Sequence, residues 1–172
     1  MFPKAVIDSG PLFSALVLNY DQRVAGYGRQ PRFTGLLAEP LRNPAAQMLF
    51  LELVRSVRVK LTTSHAIAEL SGLIMRRLNL YGDGRLDFWR TSIDLLVQWD
   101  IDESLIRLMD LASSPSLQAC LPDIGVTDTG LIQMALQHEC VLITEDERTL
   151  AQQAWTNGVD CHLVKHLIAP IA

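Results

Sequence analysis

The sequence predicts an α/β fold, a three-layer sandwich in which a central, mostly parallel sheet is flanked by helices. Three observations carry this prediction. Short apolar runs, Ala5-Val6-Ile7, Val59-Lys60-Leu61-Thr62-Thr63 and Val141-Leu142-Ile143-Thr144, alternate with longer stretches of helical periodicity. Glycine, proline and serine clusters punctuate the joins. Four carboxylates spread over nearly the whole chain, Asp8, Glu69, Asp128 and Asp146, sit where such a fold gathers strand ends and helix starts at one edge of the sheet.

Strand one spans Lys4–Asp8, and a helix starts near Pro11, an early position where the missing N–H is harmless. Tyr20 to Arg42 breaks every periodicity with Gly26, Gly28, Pro31, Gly35 and Pro40, so the segment reads as a long loop or insertion decorated by Arg23, Arg29 and Arg32. Asn43-Pro44 supplies an N-cap and first-turn proline for a helix over Ala45–Val57, with Met48, Leu49, Leu51, Leu53 and Val54 as its apolar face. A strand at Val59–Thr63 precedes a helix capped by Ser64 that carries Glu69 and ends near Arg76-Arg77-Leu78.

Tyr81-Gly82-Asp83-Gly84 reads as a turn and Leu86–Val97 as an amphipathic helix. A brief strand is expected at Trp99–Ile101, then a helix capped by Asp102 and running to about Leu111, broken by Ser113-Ser114-Pro115-Ser116. The last third reads as helix Thr127–Glu139, strand Cys140–Thr144, helix Asp146–Trp155, turn Asn157-Gly158 and strand Val159–Val164. No linker or repeat divides the 172 residues, so one domain over 1–172 is expected.

Composition narrows the function classes. With 49% hydrophobic and 20% charged residues, the chain belongs to the soluble globular class. A net charge of −4 gives no global attraction to nucleic acid, although several of those negative charges belong to an acid set that a cation would offset. Cys120, Cys140 and Cys161 are odd in number and form no C-x-x-C pair, which argues against a disulfide framework. Zinc on Cys140, Cys161 and His162 matches no usual finger spacing, and buried strand cysteines are the simpler reading. No signal-like stretch and no apolar run of about 18 residues appear, so a cytoplasmic protein without membrane contact is expected. Neither G-x-G-x-x-G after strand one nor a G-x-S-x-G elbow is present.

The acids carry the chemistry. Asp8 ends an apolar strand, where an acid either caps the next helix or faces the ligand crevice. Glu69 lies among Ala66, Leu70 and Leu73 at helical neighbour spacings and so faces partly inward. Asp128 opens a helix, where the dipole favours an acid in any case, and Asp123 is a weaker competitor for its place. Asp146 fits the strand-to-helix turn best of three neighbouring acids, with Glu145 the nearest alternative.

Brought together, such acids repel by about 4 kcal/mol per pair at ~4 Å and an effective dielectric near 20. Either some protonate or a divalent cation neutralises them. Carboxylates suit Mg²⁺ or Mn²⁺, and the histidines (His65, His138, His162, His166) show no ligand spacing that would favour zinc. Arg23, Arg29, Arg32, Arg76 and Arg77 are candidate contacts for a phosphate backbone, each also readable as ordinary surface charge.

Four segments together resemble the PIN-domain nucleases, including the toxin ribonucleases of bacterial toxin–antitoxin pairs. They are Val6-Ile7-Asp8-Ser9-Gly10-Pro11-Leu12, Thr63-Ser64-His65-Ala66-Ile67-Ala68-Glu69-Leu70, Val126-Thr127-Asp128-Thr129-Gly130-Leu131-Ile132 and Leu142-Ile143-Thr144-Glu145-Asp146. The resemblance covers about residues 4–164. It implies an endoribonuclease in which Asp8, Glu69 and Asp128 bind Mg²⁺ or Mn²⁺ and a water attacks the phosphodiester. Asp146 would be a ligand or outer acid, and Ser9 and Thr144 match the family's hydroxyl positions. RNA is then the substrate, with an antitoxin protein and a second copy of the chain as possible partners. The chain departs from the family's pattern in the Tyr20–Arg42 segment and at Gly130, where an alanine-like residue is commoner.

Two rivals stand beside this reading. A haloacid-dehalogenase-type phosphatase also begins with a strand ending in Asp, but it needs Asp-x-Asp, and position 10 is Gly. The second is a non-catalytic RNA- or protein-binding module on the same fold, against which the retention of all four acids argues.

Overall fold

In the computed structural model, which describes residues 2–28 and 33–169, five parallel strands form one sheet in the order β3-β2-β1-β4-β5. They are β1 (Lys4–Ile7), β2 (Val59–Thr63), β3 (Ile101–Ser104), β4 (Val141–Thr144) and β5 (Cys161–Leu163). The sheet is therefore parallel throughout. Register is fixed around β1, where Val6 stands opposite Leu61 on one side and Leu142 on the other.

Alternation along the strands divides the core into two layers. Ala5, Ile7 and Ile143 face one apolar cluster, built with Phe13, Leu16, Phe50, Leu70, Ile74 and Phe88. Val6, Leu61, Leu142, Cys161 and Leu163 face the other, with Leu117, Leu131, Ala135 and Leu150. Helices cover both faces, as a buried parallel sheet requires. The first layer draws on α1 (Ser9–Gly26), α2 (Pro44–Ser56), α3 (Ser64–Arg77) and α4 (Gly82–Gln98). The second draws on α5 (Leu108–Ala112), α6 (Pro115–Gln137) and α7 (Leu150–Thr156), while α8 (Val164–Leu167) packs on the first through Val164 and Leu167. Among the described residues no helix is long and apolar enough to cross a membrane.

Several boundaries differ from the expectation, each for a tertiary reason. The irregular segment begins only after Gly26, because α1 continues through Tyr20–Gly26. Tyr20 is held there between the Phe33 and Phe88 rings, with centroids at 6.0 and 4.9 Å. Asp21 accepts from the Phe33 and Thr34 N–H groups at 2.8 and 2.7 Å, pinning the returning chain, which then makes short 3₁₀ turns at Thr34–Leu36 and Glu39–Arg42. Arg29, Pro31 and Arg32 lie outside the described residues. On α2 the buried face is Phe50, Leu51 and Val54, while Met48 and Leu49 are exposed. Asn43 caps α2 as expected, but the cap of α3 is Thr63, whose hydroxyl accepts from Ala66 N–H at 3.1 Å, not Ser64. Residues 82–84 form the first turn of α4 instead of a separate turn.

The largest displacement is at β3. Asp102 lies within the strand instead of capping a helix, and α5 starts only at Leu108. An edge strand needs one ladder and one buried face, so its sequence, Ile-Asp-Glu-Ser, lacks the apolar run that marks a central strand. Ser114 caps α6 well before Thr127, and Gly125, at φ +75°, breaks that helix so that Asp128 opens a fresh run. Residues 146–149 form a turn, so α7 begins only at Leu150, later than expected. At the end of the chain β5 is shorter than Val159–Val164.

Gly130, the odd residue of its segment, has a packing reason. A Cβ there would lie 3.3 Å from Ile106 Cγ1, so the missing methyl lets the β3–α5 connection press against α6.

Candidate metal centre

Strand order reverses beside β1: the chain runs outward through β2 and β3, then returns to place β4 on β1's other side. Ligand crevices of open α/β sheets form at the carboxyl ends of the strands at such a switch point. Here the crevice is lined by Asp8, Glu69, Asp128, Asp146, Glu145 and Arg77, with Phe13 and Leu73 as apolar walls. All four acids expected from the sequence therefore reach one place. Oxygens of Asp8, Glu69 and Asp128 lie within 4.8 Å of one another, and this trio forms the candidate metal site.

Asp8 is the buried member, at the exit of β1. Its Oδ1 accepts the Ser9 N–H at 2.5 Å, and its Oδ2 accepts the Thr144 hydroxyl at 2.7 Å across the β1–β4 seam. Burial nevertheless dominates these bonds, and with Glu69 adding repulsion it pushes the Asp8 carboxyl up to about 6. Glu69 projects from α3 on the exposed side, where the Ser9 hydroxyl donates to its Oε2 at 3.1 Å. The same hydroxyl lies 3.2 Å from Asp8 Oδ1 and so bridges the two acids. Asp128, half-buried on α6, is pushed up to about 7 by burial and then by the charges of Asp8, Glu69 and Asp146.

Asp146 behaves differently. It accepts from the Arg148 N–H at 2.9 Å, the Thr149 N–H at 3.1 Å and the Thr149 hydroxyl. Burial pushes its pKa up, but these donors outweigh burial and hold the carboxyl below its ordinary value. Asp146 thus tightens its own turn and stands outside the trio. Its N–H donates to Thr144 Oγ1 at 3.0 Å, so Thr144 links the β4 exit to Asp8.

Glu145, an alternative in the sequence, also lines the crevice, and Ser14 of α1 donates to its Oε1 at 2.6 Å. Burial pushes this carboxyl up, against the Ser14 bond and the Arg77 charge. Ser14 carried no sequence signal beyond standing one helical turn after Gly10, whose Cβ position lies 3.6 Å from Glu145 Cβ. Asp123 is elsewhere, accepting from Gln153 on α7.

The arginines separate clearly. Arg77 lines the crevice with its guanidinium 5.6 Å over the Phe13 ring. Arg76 is exposed and folds back towards Gly72. Arg23, near the far end of α1, donates to Thr91 at 2.5 Å and lies 3.7 Å from Asp87, so it ties α1 to α4. Among the described residues no histidine or cysteine joins the trio. His162 instead packs on Phe2 and lies 3.2 Å from Asp160, and burial pushes the Cys161 thiol up to about 12.

The donor set fits a divalent cation of the oxygen-liganded kind. It offers carboxylates alone, buried and then crowded enough that two of them are pushed up to about 6 and about 7, and a cation would oppose both shifts. Compared with models of known protein families and with curated proteins, the chain matches none.

Proposed function

We propose that this chain is a metal-dependent endoribonuclease of the PIN kind, with Asp8, Glu69 and Asp128 holding Mg²⁺ or Mn²⁺. The observation that supports this most is the convergence of three carboxylates, from β1, α3 and α6, within 4.8 Å at the switch point of a parallel sheet. A cation bound there would polarise a phosphate oxygen and make a bound water nucleophilic near neutral pH.

The chain's own residues set the stage for that chemistry. Thr144 and Ser9 orient Asp8, and the Ser9 hydroxyl steadies Glu69, so two carboxylates present fixed oxygens to the crevice. Asp146 keeps a negative charge beside Asp128 without giving up its turn. Arg77, stacked on Phe13 at the same crevice, offers a cation to the RNA phosphate. The resemblance to toxin ribonucleases adds an antitoxin protein as the natural inhibitor.

A panel of fluorescence-quenched single-stranded RNAs, with Mn²⁺ and with chelator, tests the reading. Cleavage that requires metal and disappears in Asp128→Asn is expected. Mn²⁺ binding at the trio without cleavage of any RNA would shift the reading to a binding module, and absence of Mn²⁺ binding would remove the metal centre.

A further inference from the structure

Away from the crevice, the sheet ends at β3, whose outer edge faces no other strand among the described residues. Beside that edge lies a groove lined by Ile67, Leu96, Val97, Asp100, Ile101 and Glu103. Ile101 and Glu103 are two apart and share the groove's face of the strand, which leaves Asp102 on the other face. Exposed edges are normally guarded by charge, and exposed Asp102 and Glu103 fit that pattern. The residues just after the strand break it. Leu105, Leu108 and Met109 are 68, 65 and 78% exposed, and Val97 beside the groove is 73% exposed. An open strand edge joined to exposed apolar side chains is the signature of an interaction surface, not of a protected one.

Charge selects the occupant. Asp100, Asp102 and Glu103 crowd the edge, and none of the six groove residues is basic. The cation on the neighbouring strand, Lys60, is buried with its Nζ donating to Val57 O at 2.6 Å, and Arg107 is paired with Asp110. A second copy pairing β3 to β3 about a two-fold axis would set either Asp102 or Glu103 against its own counterpart, which like-charge repulsion disfavours.

We propose that the free edge of β3 receives an extended segment of a partner protein in which Lys or Arg alternates with Val, Ile or Leu. Main-chain hydrogen bonds extend the sheet by one strand, the apolar positions enter the groove beside Ile67 and Val97, and the basic positions meet Asp102 on the opposite face. This surface stands independently of the nuclease reading.

A random peptide library displayed on phage, selected against the whole chain, tests it. Enriched peptides should carry the basic–apolar alternation. A synthetic copy of one should slow amide hydrogen exchange at Ile101–Ser104. The variant Asp102→Lys should weaken it about tenfold or more, equivalent to roughly 1.4 kcal/mol. Should that variant fold poorly, Val97→Ser, at an exposed helix position, should weaken the same peptide. Peptides without basic residues, no enrichment over a blank surface, or protection confined to other segments would overturn the proposal. So would sedimentation showing a homodimer that buries β3.

Discussion

Asp8 and Asp146 occupy matching places, each just past a strand of the same parallel sheet on adjacent strands, yet their environments pull their chemistry apart. Asp8 is buried, accepts from one backbone N–H and the Thr144 hydroxyl, and burial outweighs both bonds to push it up to about 6. Asp146 is half-buried, receives two backbone N–H groups and a hydroxyl from its own turn, and is held below the ordinary carboxylate range. An acid that is already satisfied by local donors has little need of a cation. One whose burial outweighs its donors, beside other acids, needs one. Topology brings both acids to the crevice, and the balance of burial against local donors decides which of them is poised to hold metal.

Cleavage is the sharpest way to break this comparison. Asp8→Asn should reduce metal-dependent RNA cleavage by roughly 10³-fold or more. Asp146→Asn should cost only roughly 10–100-fold, the range of an outer-shell partner. Single-turnover assays at saturating Mn²⁺ read both, and equal losses would dissolve the distinction.

The pH dependence of stability without metal comes next. Asp8 and Asp128 have folded values of about 6 and about 7, above the unfolded value near 3.8. Groups raised on folding stabilise fully below the unfolded pKa and lose that contribution as pH climbs through the folded pKa. Stability in chelator should therefore fall between about pH 4 and 7, with the fully buried Asp8 alone accounting for on the order of 3 kcal/mol at about 1.4 kcal/mol per unit. Asp146 has the opposite sign, and its contribution is lost only on acidification below about pH 4. Urea melts across pH should show a clearly shallower slope for Asp8→Asn and only a slightly shallower one for Asp146→Asn, which removes the least of the charges that raise Asp128, and added Mn²⁺ should flatten the wild-type curve.

Thr144→Val cuts the link between the two exits, since its hydroxyl donates to Asp8 and accepts the Asp146 N–H. A loss of roughly 1–3 kcal/mol is expected from the unmet buried groups. Titration calorimetry should also show weaker Mn²⁺ binding, which Thr144→Ser restores.

The smallest asymmetry concerns the cations of α3. Arg77→Gln should raise KM for RNA and lower the salt slope by about 0.7, one single-strand phosphate contact, with Mn²⁺ affinity unchanged. Arg76→Gln should do neither. An equal effect of the two would mean that the Arg77–Phe13 stack does not place the guanidinium at the substrate.

Much of this architecture was legible because its signals are local. The β2 strand could be read with both ends in place, and Asn43-Pro44 marked the start of α2, since branched runs and caps declare themselves within a few residues. The illegible parts depend on distant packing. Gly26 and Gly28 suggested that the chain turned irregular at Tyr20, whereas Phe33 and Phe88 hold α1 helical past that point. The strand expected at Trp99–Ile101 lies instead at Ile101–Ser104, because an edge strand, paired on one side among the described residues, tolerates the polar Asp102-Glu103-Ser104.

The candidate site divides in the same way. By itself, the sequence determined that acids stand at the exits of β1 and β4 and at helix starts, because apolar runs, caps and breakers fix where strands end. Only the tertiary structure decided which acids crowd. Ser9 meets Glu69 across 60 residues, Ser14 meets Glu145 across 131, and Thr144 meets Asp8 across 136. It also brought Arg77 into the crevice, turned Arg23 towards α4, and left Gly130 the room that Ile106 fills. The physical reason is that burial and Coulomb repulsion depend on distance in space. They are set when helices dock on the sheet, and no short window of sequence contains them.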